Sequence, residues 1–146
     1  HDAFTIEYEA EISAAFELRR VRLTTTTQDF ERTIELTCDA EGSWQLDDPF
    51  DTRSRVGGVG VKDIDLTYSV FFASLIIRRL GLDTQQDSAE ARVLSVDSLT
   101  LEVSDDTVTM SSDDEQIYGI TATGSTTATV DSDGMILEVH GLSRRV

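Results

Sequence analysis

Alternation of apolar and polar residues at the start of the chain is the feature that most constrains its fold. The apolar positions are Phe4, Ile6, Tyr8, Ala10 and Ile12, and threonine and glutamate stand between them. Since successive side chains of a strand point to opposite faces, this pattern predicts a strand with one buried and one exposed face. Similar runs recur along the chain and predict about nine or ten short strands, so we expect a mainly β fold with little helix.

The composition favours a single curled sheet. The 146 residues fit one domain over residues 1–146, and apolar residues make up only 39% of them. A single antiparallel sheet around a modest core is therefore expected rather than two thick packed sheets. Asp105 and Asp106 indicate a turn between two strands. Residues 70–82 fit a short helix capped by Ser74 and a buried strand equally well.

The chain is strongly acidic, with 28 acidic and 12 basic residues and a formal charge of −16. Such a surface repels nucleic acid and anionic membranes. The acids are spread along the whole sequence, and Lys62 is the sole lysine. This pattern predicts adaptation to multimolar salt, which screens self-repulsion, and hence a high-salt cytoplasm. The alternative is a functional acidic surface that binds cations or basic partners.

Residues that usually carry catalysis or bind metal are scarce. Cys38 is the single cysteine and there are two histidines, so neither an internal disulfide nor a zinc site is expected. The sequence has no serine-nucleophile elbow, phosphate-binding loop or zinc-protease helix motif. No apolar run approaches the about 20 residues that span a bilayer. We therefore expect no cofactor, no metal, no membrane span and no catalytic activity, and the sequence indicates no oligomeric state.

Candidate binding residues concentrate between residues 63 and 79. They are Asp63, Asp65, Tyr68, Phe71, Phe72, Leu75, Arg78 and Arg79. This succession of acids, aromatics, aliphatics and arginines suits a site for an amphipathic molecule, with apolar side chains around the tail and charges at the head group. Trp44 is a further candidate, because an indole can stack on a sugar ring.

Each candidate also has a structural interpretation. If residues 63–65 form a strand, Asp63 and Asp65 share a face and can pair with Arg78 or Arg79 instead of contacting a ligand or metal. The aromatic residues would then belong to an ordinary core. Two alternative functions follow, which are a small enzyme that uses Asp63 and Asp65, and a protein-interaction domain without a small-molecule ligand.

Several motifs resemble one known family. Residues 63–66 (DIDL) followed by residues 75–80 (LIIRRL) look like the hallmark of the Putative glycolipid-binding family, formerly a domain of unknown function. Residues 42–44 (GSW) and 130–136 resemble its glycine–tryptophan turn and its C-terminal hairpin. The resemblance implies an antiparallel sheet curled into a half-barrel, similar to lipoprotein carriers that hold acyl chains in a concave face. It brings no catalytic residues, and it implies non-catalytic binding of a lipid or glycolipid-like amphiphile.

Overall fold

The structure is a computed structural model that describes residues 3–49, 54–58, 60–67, 69–81, 88–112, 117–121, 124–130, 136–139 and 143–144. Within these ranges the chain forms twelve strands and one helix. The mainly β fold with little helix, predicted from the period-two alternation, is confirmed.

The first sheet is an antiparallel meander of five strands in chain order. Its strands are β1 (Thr5–Ile12), β2 (Leu18–Thr26), β3 (Glu31–Cys38), β4 (Trp44–Asp47) and β5 (Ser54–Val56). Each strand pairs with the next, and the sheet is not closed into a barrel. Strand β1 is therefore an edge strand.

The second sheet has seven strands in the order β12-β11-β10-β9-β8-β7-β6. They are β6 (Asp63–Leu66), β7 (Ser88–Val96), β8 (Val103–Ser112), β9 (Ile117–Thr121), β10 (Gly124–Val130), β11 (Ile136–Val139) and β12 (Ser143–Arg144). Among the described strands, β6 and β7 alone pair in parallel, which requires the crossover that the helix provides. The described strands thus divide between two hydrogen-bonded sheets, whereas the sequence predicted one. The turn predicted at Asp105 and Asp106 is wrong, since both lie inside β8.

Helix α1 spans Val70–Leu80. Ser69 caps its start, because the Ser69 backbone is extended and its hydroxyl accepts a hydrogen bond from the backbone N–H of Phe72. Gly81 ends the helix with a φ of 72°, a conformation that glycine adopts without strain. Ser74, the cap expected from the sequence, is instead buried within the helix. No helix in the described ranges is long and apolar enough to cross a membrane.

The core lies on both faces of β6–β8. The inner face of the first sheet contributes side chains such as Val21 and Ile34, which pack with Ile64 and Leu94 of the second sheet. On the opposite face, α1 packs against β7 and β8. The buried residues of this second cluster are Ile76, Ile77, Ala91, Val93, Val108 and Met110. The central strands therefore lie between the first sheet and the helix.

Candidate functional site

Asp63 and Arg79, both singled out in the sequence, form an ion pair between β6 and the last turn of α1. Asp63 is only 2% exposed. Arg79 Nε donates to Oδ1 and Oδ2 of Asp63 at 3.1 and 2.9 Å, and Arg79 Nη2 also donates to Oδ2. This multiple contact satisfies the buried carboxylate and fixes the end of the helix on the strand. It leaves Asp63 poorly available for a ligand or for proton transfer.

Asp65 lies on the same face of β6 as Asp63 and is half-buried. Burial raises the pKa of the Asp65 carboxyl, and the negative charge of Asp106 on β8 raises it further. Within the described ranges, no group of three or more His, Cys, Asp or Glu side chains is arranged to hold a metal ion. Asp65 and Asp106 repel each other when both are charged, so this half-buried pair lowers the stability of the folded protein at neutral pH.

Asp65→Asn is expected to stabilise the protein at pH 7 and to have little effect well below pH 4. Because the folded-state pKa of Asp65 is raised, folding favours its protonated form, and this contribution is lost as the pH rises from the ordinary pKa of about 3.9 through the raised value. Urea unfolding of both proteins across this pH range measures the difference. A stability difference that does not vary with pH would contradict the assignment to Asp65.

The two adjacent arginines point to different elements. Arg79 reaches β6, whereas the guanidinium carbon of Arg78 lies 4.1 Å from the centre of the Phe16 ring. Phe16 stands in the turn between β1 and β2 with a φ of 60°. This cation–π contact joins the end of the helix to the first sheet. Arg78 and Arg79 are adjacent in sequence, but on the helix their side chains point in different directions and contact different sheets.

The start of α1 contacts β1 through three aromatic rings. The ring centre of Tyr8 lies 5.3 Å from that of Phe71 and 5.1 Å from that of Phe72, and the two phenylalanines are 5.3 Å apart. Phe72 is fully buried, and burial raises the pKa of Tyr8. The predicted pair Phe71 and Phe72 therefore meets a residue of β1. Tyr68, a further predicted site residue, lies outside the described residues.

Trp44 and Leu75 are both buried in the core between the two sheets. The Trp44 indole Nε1–H donates to the backbone carbonyl of Val61 at 2.9 Å. This bond satisfies the one polar atom of the side chain in its buried position. Contact of either residue with a ligand stays a prediction.

An open cleft of about 200 Å³ lies between β1 and the junction of β6 with α1. Its lining residues are Phe4, Ile6, Tyr8, Leu66, Thr67, Ser69 and Ser98. Three of them are consecutive apolar positions of the β1 alternation. Of the predicted site residues that the structure describes, none is in this lining, but the rings of Phe71 and Phe72 pack against the lining residue Tyr8. The cleft is on the Leu66 side of β6, and Asp63 and Asp65 are on the other side.

The hydroxyl groups of the cleft are used mainly within the protein. Thr67 Oγ1 donates to the carbonyl of Val96 at 2.9 Å and accepts from the backbone N–H of Ser98 at 3.2 Å. Ser98 Oγ donates to the carbonyl of Thr67. Ser69 Oγ accepts the capping bond from Phe72, which leaves the Ser69 hydroxyl its own hydrogen as a donor. The cleft is therefore apolar with a small polar margin.

Comparison with known proteins agrees with the fold. The family model described as Putative glycolipid-binding matches residues 1–145. The chain belongs to this family. The Putative glycolipid-binding chain is also similar to a DUF1089 family protein from Pseudomonas aeruginosa, whose crystal structure was determined at 1.80 Å resolution. The similarity has a TM-score of 0.79 at 24% identity, covers 98% of this chain and 78% of that chain, and shows the fold alone. No curated protein matches. The family resemblance predicted from the sequence motifs is confirmed.

Proposed function

We propose that the protein binds a lipid or glycolipid-like amphiphile without catalysing its conversion, and that the apolar tail enters the cleft beside β1. The observation that carries the proposal is the open apolar cleft between Ile6, Tyr8 and Leu66. Apolar clefts with a few polar groups at the margin are the usual form of small-molecule sites. The description of the family agrees with this type of ligand.

The cleft size favours one short tail segment. Its volume of about 200 Å³ lies below the about 300–1,000 Å³ of sites that enclose drug-sized ligands, so the cleft takes one segment of a tail and not a whole lipid. A longer chain would extend from the open side into solvent. Each buried methylene contributes about 0.8 kcal/mol, which corresponds to an increase in affinity of about fourfold.

The margin of the cleft favours an uncharged, hydroxyl-bearing head group. Ser69 offers a hydroxyl donor there, whereas the lining residues that the structure describes include no arginine. A formal charge of −16 also disfavours an anionic head group. In this proposal the ion pair between Asp63 and Arg79 fixes the helix whose first turn lies beside the cleft, and neither residue contacts the head group.

The geometry gives little support to an enzyme that uses Asp63 and Asp65. Both carboxylate oxygens of Asp63 accept hydrogen bonds from Arg79, so this acid is not poised to exchange a proton. Asp65 has a raised pKa, but it lies on the face of β6 opposite Leu66 and the cleft. A binding function is therefore favoured over an acid–base pair.

Titration with non-ionic alkyl glucosides tests this function. Glucosides with four to ten carbons are added below their micelle-forming concentrations, and binding is followed by NMR chemical shifts. Because each buried methylene adds about 0.8 kcal/mol, we expect the affinity to increase about fourfold for each carbon that enters the cleft and to level off once the cleft is full. An affinity that is independent of chain length would contradict binding of the tail in the cleft.

Ile6→Trp is expected to reduce octyl glucoside binding at least about tenfold, because the indole fills space that the tail requires. The matched control is Thr5→Trp, which adds the same ring on the exposed face of β1. It should bind as the unmodified protein does. Equal binding by the two variants would place the ligand elsewhere, provided that circular dichroism shows both to be folded.

A further inference from the structure

Three exposed apolar side chains surround one end of the cleft. These residues, which we call the apolar rim, are Phe4, Phe30 and Leu99, and they are between 38% and 45% exposed. They belong to three separate segments of the chain. Large apolar side chains in water are unremarkable singly, but a group at the mouth of an apolar cleft indicates an interaction site.

Phe4 and Phe30 lie at the same end of the first sheet, where Thr5 of β1 pairs with Thr26 of β2. Ile6 pairs with Thr25, and Thr25 pairs with Arg32 on the next strand. These three residues share the inner face of the sheet, and Phe30 ends the turn between β2 and β3, where its carbonyl accepts a hydrogen bond from the backbone N–H of Thr27. Thr25 is buried on that face, and Phe4 itself lines the cleft.

Leu99 is held at the tip of the turn between β7 and β8. The carboxylate of Asp97 accepts hydrogen bonds from the backbone N–H groups of Leu99 and Thr100 at 2.9 and 2.8 Å. Thr25 Oγ1 donates to the carbonyl of Ser98 at 2.6 Å, which ties the turn to the first sheet. Leu99 is therefore presented to solvent by a fixed turn next to Ser98, a residue of the cleft.

The shape of the apolar rim fits a fluid lipid surface better than a protein surface. A stable protein interface buries about 800 Å² on each partner over a continuous patch. Phe30 and Leu99 instead stand on two separate turns, and Phe4 and Ser98 line the cleft itself. Side chains on such tips can each enter the boundary of a lipid layer without a complementary partner surface.

The charges beside the apolar rim define the kind of lipid surface. Asp29, Glu31 and Asp97 are all exposed next to rim residues. Arg32, the nearby base, is engaged by Asp48 at 2.7 Å and by the carbonyl of Thr100. An anionic lipid layer would be repelled by these acids, whereas a neutral layer would not.

We propose that the apolar rim docks the mouth of the cleft on a neutral lipid surface, so that a tail passes from the layer into the cleft without crossing water. This inference rests on the proposed function, since a cleft without an apolar ligand would need no such contact. It adds a second site, formed by Phe4, Phe30 and Leu99, to the binding cleft.

Vesicle flotation tests the docking surface. We expect the protein to float with phosphatidylcholine vesicles, and the bound fraction to fall at least about tenfold in Phe30→Ser/Leu99→Ser, whose side chains are exposed and whose loss should leave the fold intact. The control is Ile12→Ser, which removes a side chain of similar exposure, 37%, at the end of β1 far from Phe4. The control should float as the unmodified protein does.

Other outcomes overturn the proposal. Unchanged flotation of Phe30→Ser/Leu99→Ser, or stronger flotation with vesicles that contain phosphatidylglycerol, would exclude docking of the rim on neutral lipid. Reversible self-association that is lost in the same variant, without flotation, would identify the rim as a protein contact instead.

Octyl glucoside binding separates a failure of the rim from a failure of the cleft. Phe30→Ser/Leu99→Ser should still bind this monomeric ligand, because neither residue lines the cleft. If the unmodified protein binds octyl glucoside but not vesicles, the docking proposal fails and the proposed function stands. If it binds neither, the proposed function fails, and the docking proposal that rests on it fails as well.

Discussion

Arg79→Ala is expected to lower the free energy of unfolding by about 3–5 kcal/mol, because it leaves the carboxylate of Asp63 charged and buried without its partner. Asp63 is almost inaccessible to water, and Nε and Nη2 of Arg79 donate hydrogen bonds to its carboxylate. The same substitution frees the last turn of α1 from β6. Denaturant unfolding followed by Trp44 fluorescence measures the loss.

The matched control for this prediction is Arg19→Ala. Arg19 also forms an ion pair, with Glu17 at 2.9 Å, but these two side chains keep 46% and 31% of their area exposed, against 3% for Asp63. Exposed pairs of this kind contribute about 0–1 kcal/mol. The double variant Asp63→Ala/Arg79→Ala should recover part of the loss, because no unpaired charge remains. If Arg79→Ala destabilised no more than Arg19→Ala, the ion pair would not hold the helix.

Phe72→Ala is expected to lower the free energy of unfolding by about 3–5 kcal/mol, through lost burial and the cavity that remains. Phe72 is fully buried where β1, β6 and α1 meet, and its ring contacts those of Tyr8 and Phe71. Phe71 is only half-buried, so Phe71→Ala should cost about 1–2 kcal/mol. Thermal and denaturant unfolding of both variants provide the comparison.

The order of these two effects distinguishes a structural role from a binding role. A larger loss for Phe72→Ala agrees with a core residue that supports the cleft wall through Tyr8. If Phe72→Ala kept the free energy of unfolding of the unmodified protein and lost only ligand affinity, Phe72 would instead contact the ligand directly.

The strands were the most predictable part of the fold. Alternation at Phe4, Ile6 and Tyr8 depends only on the period of a strand, so it predicted which side of β1 faces the core. The expected burial of that side is only partly right, because β1 is an edge strand and Phe4, Tyr8 and Ile12 remain 37–42% exposed. The short apolar run at residues 70–82 carried no such signal, because a buried helix and a buried strand have the same composition. The choice of Ser69 over Ser74 as cap depends on where the backbone leaves its extended conformation.

The number of sheets and one turn could not be predicted. Composition does not reveal that backbone pairing stops at β5 and resumes at β6. Asp105 and Asp106 looked like a turn, yet they pair with Leu94 and Val93 inside β8. The actual turn occurs just before β8, where Leu101 has a φ of 56°.

The site was predictable in chemistry but not in geometry. An ion pair between the acids and the arginines was one predicted alternative, and Asp63 and Arg79 form it. The cleft was missed because Ile6, Leu66 and Ser98 come from segments far apart in sequence. Periodicity shows which face of a strand packs inward, but it does not show which other segment packs against that face. Adaptation to high salt, the cytoplasmic location and the single domain over residues 1–146 stay predictions.

Native mass spectrometry tests the central claim most directly. The purified protein and Ile6→Trp are each measured as isolated and after incubation with octyl glucoside, and bound molecules are extracted into organic solvent. We expect the unmodified protein to carry one amphiphile per chain, either co-purified or added, and Ile6→Trp to carry none. An unliganded mass for both proteins under both conditions, or equal loading of the two, would contradict binding of an apolar tail in the cleft.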